Sequence, residues 1–202
     1  MSTPAISSPS SPAHVLALPD VVWARILSSP ALDYFDIKRF SATCQAFLQA
    51  VQCPALDPVL FRSPPPTRLR KGSVVACHPS LSTMDLVKTS CAVTDLDSDG
   101  DSSFASPPSS PLDLTEFATS PTVKKMQFRL GPHPVIGNPE GVRVKDVVEG
   151  LVNLWNQPCP HNGMSWKWTL PEGAMWEGVE RIDVDEEGVA VVTPKSLLVH
   201  HG

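Results

Sequence analysis

The sequence predicts an α+β protein made of a short all-α unit near its N-terminal end, a largely disordered linker, and a small α+β module at its C-terminal end. Three observations carry that prediction. Apolar residues recur at helical steps between Leu18 and Arg62. Pro and Ser crowd both flanks of that stretch, a composition with little to bury. From about Pro111 onward, apolar residues in alternation surround one well-marked helix. The expected boundaries are a disordered tail over 1–13, a helical domain over 14–62, a linker over 63–110 and the second module over 111–202.

Residues 1–13 hold Ser7, Ser8, Ser10 and Ser11 among Pro4, Pro9 and Pro12, which gives a tail with almost no apolar side chain to bury. Pro19 then sits where a helix begins without losing a needed N–H, and Val22, Ile26 and Leu27 recur at turn spacing behind it. A second stripe follows the three- and four-residue steps of a helix through Ile37, Phe40, Cys44, Phe47, Leu48 and Val51, with Asp36 as its expected cap. Cys44 reads there as a small core residue. A unit of about 45 residues without metal or disulfide lies near the lower limit for folding alone, so part of its apolar surface is expected to need a partner.

Ser63 to Pro66 ends the helical stretch, because each proline removes a donor and restricts the residue before it. Arg68, Arg70 and Lys71 form a small basic cluster expected on a solvated linker face. Asp95, Asp97, Asp99 and Gly100 imitate the start of a calcium loop. Its twelfth position is Ser106, however, where a bidentate acid is required, so the run reads as an acidic linker.

In the second module Val123, Met126, Phe128 and Leu130 mark one strand, and Val142 and Val144 alternate with Arg143 and Lys145 as a second. Asp146 reads as the cap of a helix whose apolar face runs through Val147, Val148, Leu151, Val152, Leu154 and Trp155, stopped by Pro158 and Pro160. Trp166, Trp168 and Trp176 follow in an aromatic loop. They read first as packing groups and second as a target-binding surface. Val179, Ile182 and Val184, then Val189, Val191 and Val192, read as strand, turn and strand, with Ser196 to Val199 as a further strand.

Several functions are excluded at this stage. A formal net charge of −5 and the lack of a basic stripe give no footing for nucleic acid. No apolar run of about 18 residues and no signal-peptide pattern point to a membrane or to export, so a cytoplasmic or nuclear location is expected. The five cysteines are scattered and match no zinc spacing, and the histidines are isolated or terminal. Neither a catalytic constellation nor a phosphate-cradling glycine loop is visible, so no cofactor, no metal and no enzymatic activity are expected.

The stretch from Leu18 to Arg62 also resembles an F-box. The family's opening Leu-Pro matches Leu18 and Pro19, its first apolar positions Val22, Ile26 and Leu27, and its Asp-Leu pair Asp36 and Ile37. Its Cys falls on Cys44, the following aromatic on Phe47 and its late Pro on Pro54. The chain departs from the pattern at Val21, where the family is usually acidic, in a short insertion before Leu32, and at Asp57 in place of a Trp. The resemblance implies docking onto the small adaptor subunit of SCF-type ubiquitin ligases, and through it onto a cullin. The residues implied are Leu18, Pro19, Val22, Ile26, Leu27, Ile37, Phe40 and Phe47. Residues 112–193 resemble a C-terminal domain of unknown function found in basidiomycete fungal proteins, which implies no activity. The expected function is a non-catalytic substrate receptor with a protein target on the second module. The alternative is an interaction scaffold without ubiquitin transfer.

Overall fold

Two helix starts in this chain are set by an aspartate three residues into the helix that reaches back to the backbone before it. In the computed structural model, which describes residues 18–83, 114–130, 132–160, 163–166, 174–176, 178–195 and 197–199, the chain divides into two units, Met1–Val59 and Leu60–Gly202. For Asp20, Thr83, 174–176 and 197–199 only the backbone is described.

The first unit holds α1 (Asp20–Leu27), α2 (Tyr34–Ser41), α3 (Gln45–Ala50) and a 3-10 turn over Pro54–Leu56. Pro19 opens α1, its carbonyl accepting the N–H groups of Val22 and Trp23 at 2.8 and 3.2 Å. A reciprocal cap opens α2. The Asp33 carboxylate accepts the Asp36 N–H at 2.7 Å and the Asp36 carboxylate accepts the Asp33 N–H at 3.2 Å. Asp36 is therefore the third residue of the helix and Asp33 its cap, a correction to the sequence reading. The expected long stripe breaks at Ala42 and Thr43, where the hydroxyls of Ser41 and Thr43 donate to the carbonyls of Lys38 and Phe40. That break leaves Cys44 extended at the start of α3 and exposed, so it is a boundary residue and not a core one.

Trp23, Leu27, Tyr34, Ile37, Ala50, Val51 and Leu56 are buried and form the core of this unit. Beside them Trp23 meets Phe40 at 5.7 Å and Phe47 at 5.4 Å, while Phe40 and Phe47 stack.

The second unit is built on a four-stranded sheet of order β4-β3-β7-β6. Its strands are β3 (Lys125–Phe128), β4 (Val135–Gly137), β6 (Val179–Val184) and β7 (Ala190–Pro194). The central pair β3/β7 is parallel and the flanking pairs are antiparallel. Val123, Met126, Phe128 and Leu130 are all buried, as their alternation predicts. The hairpin between β6 and β7 turns on Asp185, whose carboxylate accepts the N–H groups of Glu187 and Val189 at 2.9 Å each, with Gly188 at φ +80°.

Helix α5 (Val144–Asn156) covers one face of the sheet, burying Val144, Val147, Leu151, Leu154 and Trp155. It comes close to β4 because Gly150 has no side chain; a Cβ there would lie 2.6 Å from Ile136 Cγ1. Asp146 is again the third helical residue. Its carboxylate accepts the Arg143 N–H and the Asn138 amide, both at 2.8 Å. Val144 accordingly begins the helix. The strand expected over Val142 and Val144 lies instead at Val135–Gly137, because the prolines on either side leave just those three residues free to pair.

The expected linker over 63–110 is also corrected where it is described. Residues 63–83 pack into the second unit: β1 (Ala76–Cys77) pairs with β2 (Thr119–Ser120), α4 (Pro79–Thr83) follows, and Leu81 is buried. Residues 84–110, with the calcium-like run, lie outside the described residues, as does the tail over 1–13. Strands β5 (Ala174–Trp176) and β8 (Leu197–Val199) pair antiparallel, so part of the expected aromatic loop is a strand. The fold class is α+β.

Candidate functional site

Helix α1 divides into two sides by spacing alone. Trp23, Ala24 and Leu27 turn inward and are buried. The opposite side carries Val21, Val22, Arg25 and Ile26, three of them apolar, where an ordinary surface helix places polar groups. Val21 is 78% exposed and Ile26 44%, with Leu18 just before the helix at 37% and Leu48 on α3 at 43%. The result is a helix with apolar residues on both sides, of which Val21 and Ile26 are left exposed to water.

The residues nominated for adaptor docking separate into three groups on this structure. Leu18, Pro19 and Ile26 are exposed and Val22 is half-buried, all on or beside the solvent side of α1. Phe40 and Phe47 are half-buried and stacked on one another. Leu27 and Ile37, at 2% and 1% exposure, belong to the unit's own core, so their surface is already spent on folding and is not free for a partner. Sequence reading noted Val21 only as a departure from a pattern. Its position two residues before the buried Trp23 and four before exposed Arg25 is the signal that places it on the solvent side.

The tryptophans nominated for a target do not form one described surface. Trp166 is half-buried and packs against the core of the second unit, with its N–H donating to the Gln157 carbonyl at 3.0 Å through the backbone. Trp168 lies outside the described residues, and of Trp176 only the strand backbone is described.

The second unit also contains a buried polar pair that the sequence reading did not find. Nε2 of His78 lies 3.2 Å from the Glu116 carboxylate, and Nδ1 accepts the Ser80 N–H at 3.2 Å. That second bond assigns the proton to Nε2, which donates to Glu116. Both side chains are almost wholly buried, with the Phe61 ring edge-on to the imidazole at 4.8 Å. The pair is closed off from solvent and ties the 60–83 segment to the 114–122 segment. Cys77, next in sequence to His78, has its thiol pushed up to about 12 by burial, against a hydrogen bond from Ser82 that acts the other way.

Among the described residues no group of three or more His, Cys, Asp or Glu could hold a metal ion, and no helix is long and apolar enough to cross a membrane. No family profile, characterised protein or solved structure matches this chain.

Proposed function

We propose that the helical unit docks onto the small adaptor subunit of an SCF-type ubiquitin ligase and that the protein acts as a non-catalytic substrate receptor. The observation that carries the reading is the apolar solvent side of α1, Val21, Val22 and Ile26, continued by Leu18. Exposed apolar residues in a contiguous stripe are costly unless a partner covers them, and a short helix laid in an apolar groove is a recurring way to do so. The F-box resemblance names the partner. The exposed apolar side of α1 supports a partner of that kind.

In this reading the chain acts by proximity. Holding a target near a ubiquitin-charged carrier raises the effective concentration of its lysines, and no bond is made or broken by this protein. The second unit provides the target side.

The direct test is titration of purified full-length protein with purified adaptor by calorimetry. A dissociation constant on the order of micromolar is expected, the scale of roughly 8 kcal/mol of binding. Absence of binding at tens of micromolar, roughly the limit of a useful complex, would overturn the ligase reading and leave an interaction scaffold in its place.

A further inference from the structure

A cleft among the described residues of the second unit gathers charged side chains from three separate segments. It has a volume of about 270 Å³ and opens between the extended segment Pro66 to Leu69, the start of β3 and the turn between β6 and β7. Arg68, Lys124 and Lys125 line it from the first two, Glu186 and Glu187 from the third. The segment is held beside the turn: Lys71 Nζ sits 2.9 Å from Glu186, and the Gly72 N–H donates to the Val184 carbonyl. Gly188, needed in the turn for its φ of +80°, lies beside the Leu69 carbonyl, which a Cβ on it would meet at an ordinary contact distance of 3.6 Å.

Two features mark this cleft. The second unit also holds two surface ion pairs, Lys71 to Glu186 and Arg181 to Asp183 at 2.8 Å. By contrast, the side chains of Arg68, Lys124, Lys125 and Glu187 make no ion pair or hydrogen bond among the described residues. The cations also converge from segments more than fifty positions apart in sequence, so the fold and not local composition assembles them. Thr122, deeper in the cleft, donates its hydroxyl to the Ser63 carbonyl and fixes the floor.

We propose that this cleft binds a short extended peptide segment in which a cluster of acidic residues is followed by basic ones. The carboxylates would meet Arg68, Lys124 and Lys125, and the basic flank would meet Glu187. Nucleic acid is the poorer fit, because an unbroken line of phosphates would run onto Glu186 and Glu187 and into the field of a chain of net charge −5. That same net charge gives no long-range attraction to acidic peptides, so affinity must come from these contacts. The cleft would supply the target side that the proposed function leaves unlocated; as a binding site it stands without the adaptor.

The experiment is fluorescence anisotropy on the full-length chain. Its probes are a peptide with a glutamate run followed by lysines, the same peptide with glutamines for glutamates, and a single-stranded oligoribonucleotide. The first should bind, weaken in high salt, and weaken by about tenfold in the Arg68→Gln, Lys124→Gln, Lys125→Gln triple variant, as the loss of three exposed ion pairs predicts. The glutamine peptide should bind more weakly than the first. Glu187→Lys should turn preference toward a purely acidic peptide. Should the triple variant fail to fold by circular dichroism, Arg68→Gln alone, on an exposed segment outside regular structure, gives the same reading in smaller measure. Equal binding of the glutamine peptide, equal binding by the variant, or tighter binding of the oligoribonucleotide would overturn the proposal. Ile26→Ala should leave peptide binding untouched, which separates failure of this site from failure of adaptor docking.

Discussion

The Glu116 carboxylate accepts the Nε2–H of His78 at 3.2 Å inside the second unit, and the Ser80 N–H occupies the other imidazole nitrogen. Replacing either residue by an apolar one takes a hydrogen bond away from its buried partner. His78→Ala should cost about 3 kcal/mol, since it leaves a buried carboxylate short of a donor. Glu116→Gln keeps an acceptor of the same reach and should cost less than about 1.5 kcal/mol. Denaturant unfolding followed by Trp fluorescence checks both. Equal costs for the two would mean that volume and not the bond matters.

The thiols should differ in reactivity by their surroundings. Cys44 is exposed, Cys159 is buried, and burial pushes the Cys77 thiol up to about 12. At pH 8, maleimide labelling with peptide mapping should mark Cys44 before Cys77 and Cys159, which it should reach fully only after unfolding. The sign for stability follows from the same shift. A thiol raised in the folded state favours folding while it is neutral, so its contribution is intact below the ordinary value of 9.0 and is lost as pH rises from there toward 12. Cys77→Ala should flatten the loss of stability above pH 9, within the window set by that shift.

Periodicity made most of this fold legible. Val123 to Leu130 and Val147 to Trp155 show their buried faces directly in the spacing of apolar residues. The errors have a common physical origin in polar groups that act at a distance of three. Asp36 and Asp146 both look like caps, yet each sits one turn inside its helix and reaches back to the N–H of residue 33 or 143. The same offset hid β4, because Val144 was needed for the helix and Val135 to Gly137 is too short to show a period. Residues 63–83 read as linker because their burial comes from partners far along the chain: His78 needs Glu116, and Ala76 needs Ser120. No local pattern records such pairings. On α1, sequence spacing grouped Val22, Ile26 and Leu27 together and could not tell that Leu27, like Ile37 on α2, would be used up inside.

Those reach-back carboxylates give a third prediction. Asp146→Ala removes the acceptor of both the Arg143 N–H and the Asn138 amide, and should destabilise the second unit by about 1 to 2 kcal/mol. Asp146→Asn keeps an acceptor and should recover part of it. Thermal unfolding of the two variants is the measurement. A null result for Asp146→Ala would show that water replaces the carboxylate without cost.

The separation of α1 into a solvent side and a core side makes adaptor docking testable without confusing binding with folding. Ile26 and Pro19 are exposed, so Pro19→Ala with Ile26→Ala should leave the far-ultraviolet dichroism and melting of the chain nearly unchanged, within about 0.5 kcal/mol as for other surface changes. Leu27→Ala and Ile37→Ala should each cost about 2 to 5 kcal/mol by leaving cavities, enough to unfold a unit this small. Adaptor affinity, read by calorimetry, should fall by tenfold or more in the surface double variant, since withdrawing a buried Ile side chain from a partner is worth about 1.5 to 3 kcal/mol. Loss of binding together with loss of structure in that variant would mean that the solvent side of α1 is part of the unit's own packing. Retained structure with undiminished binding would mean that the adaptor uses a different face, and the stacked Phe40 and Phe47 would then be the next residues to change.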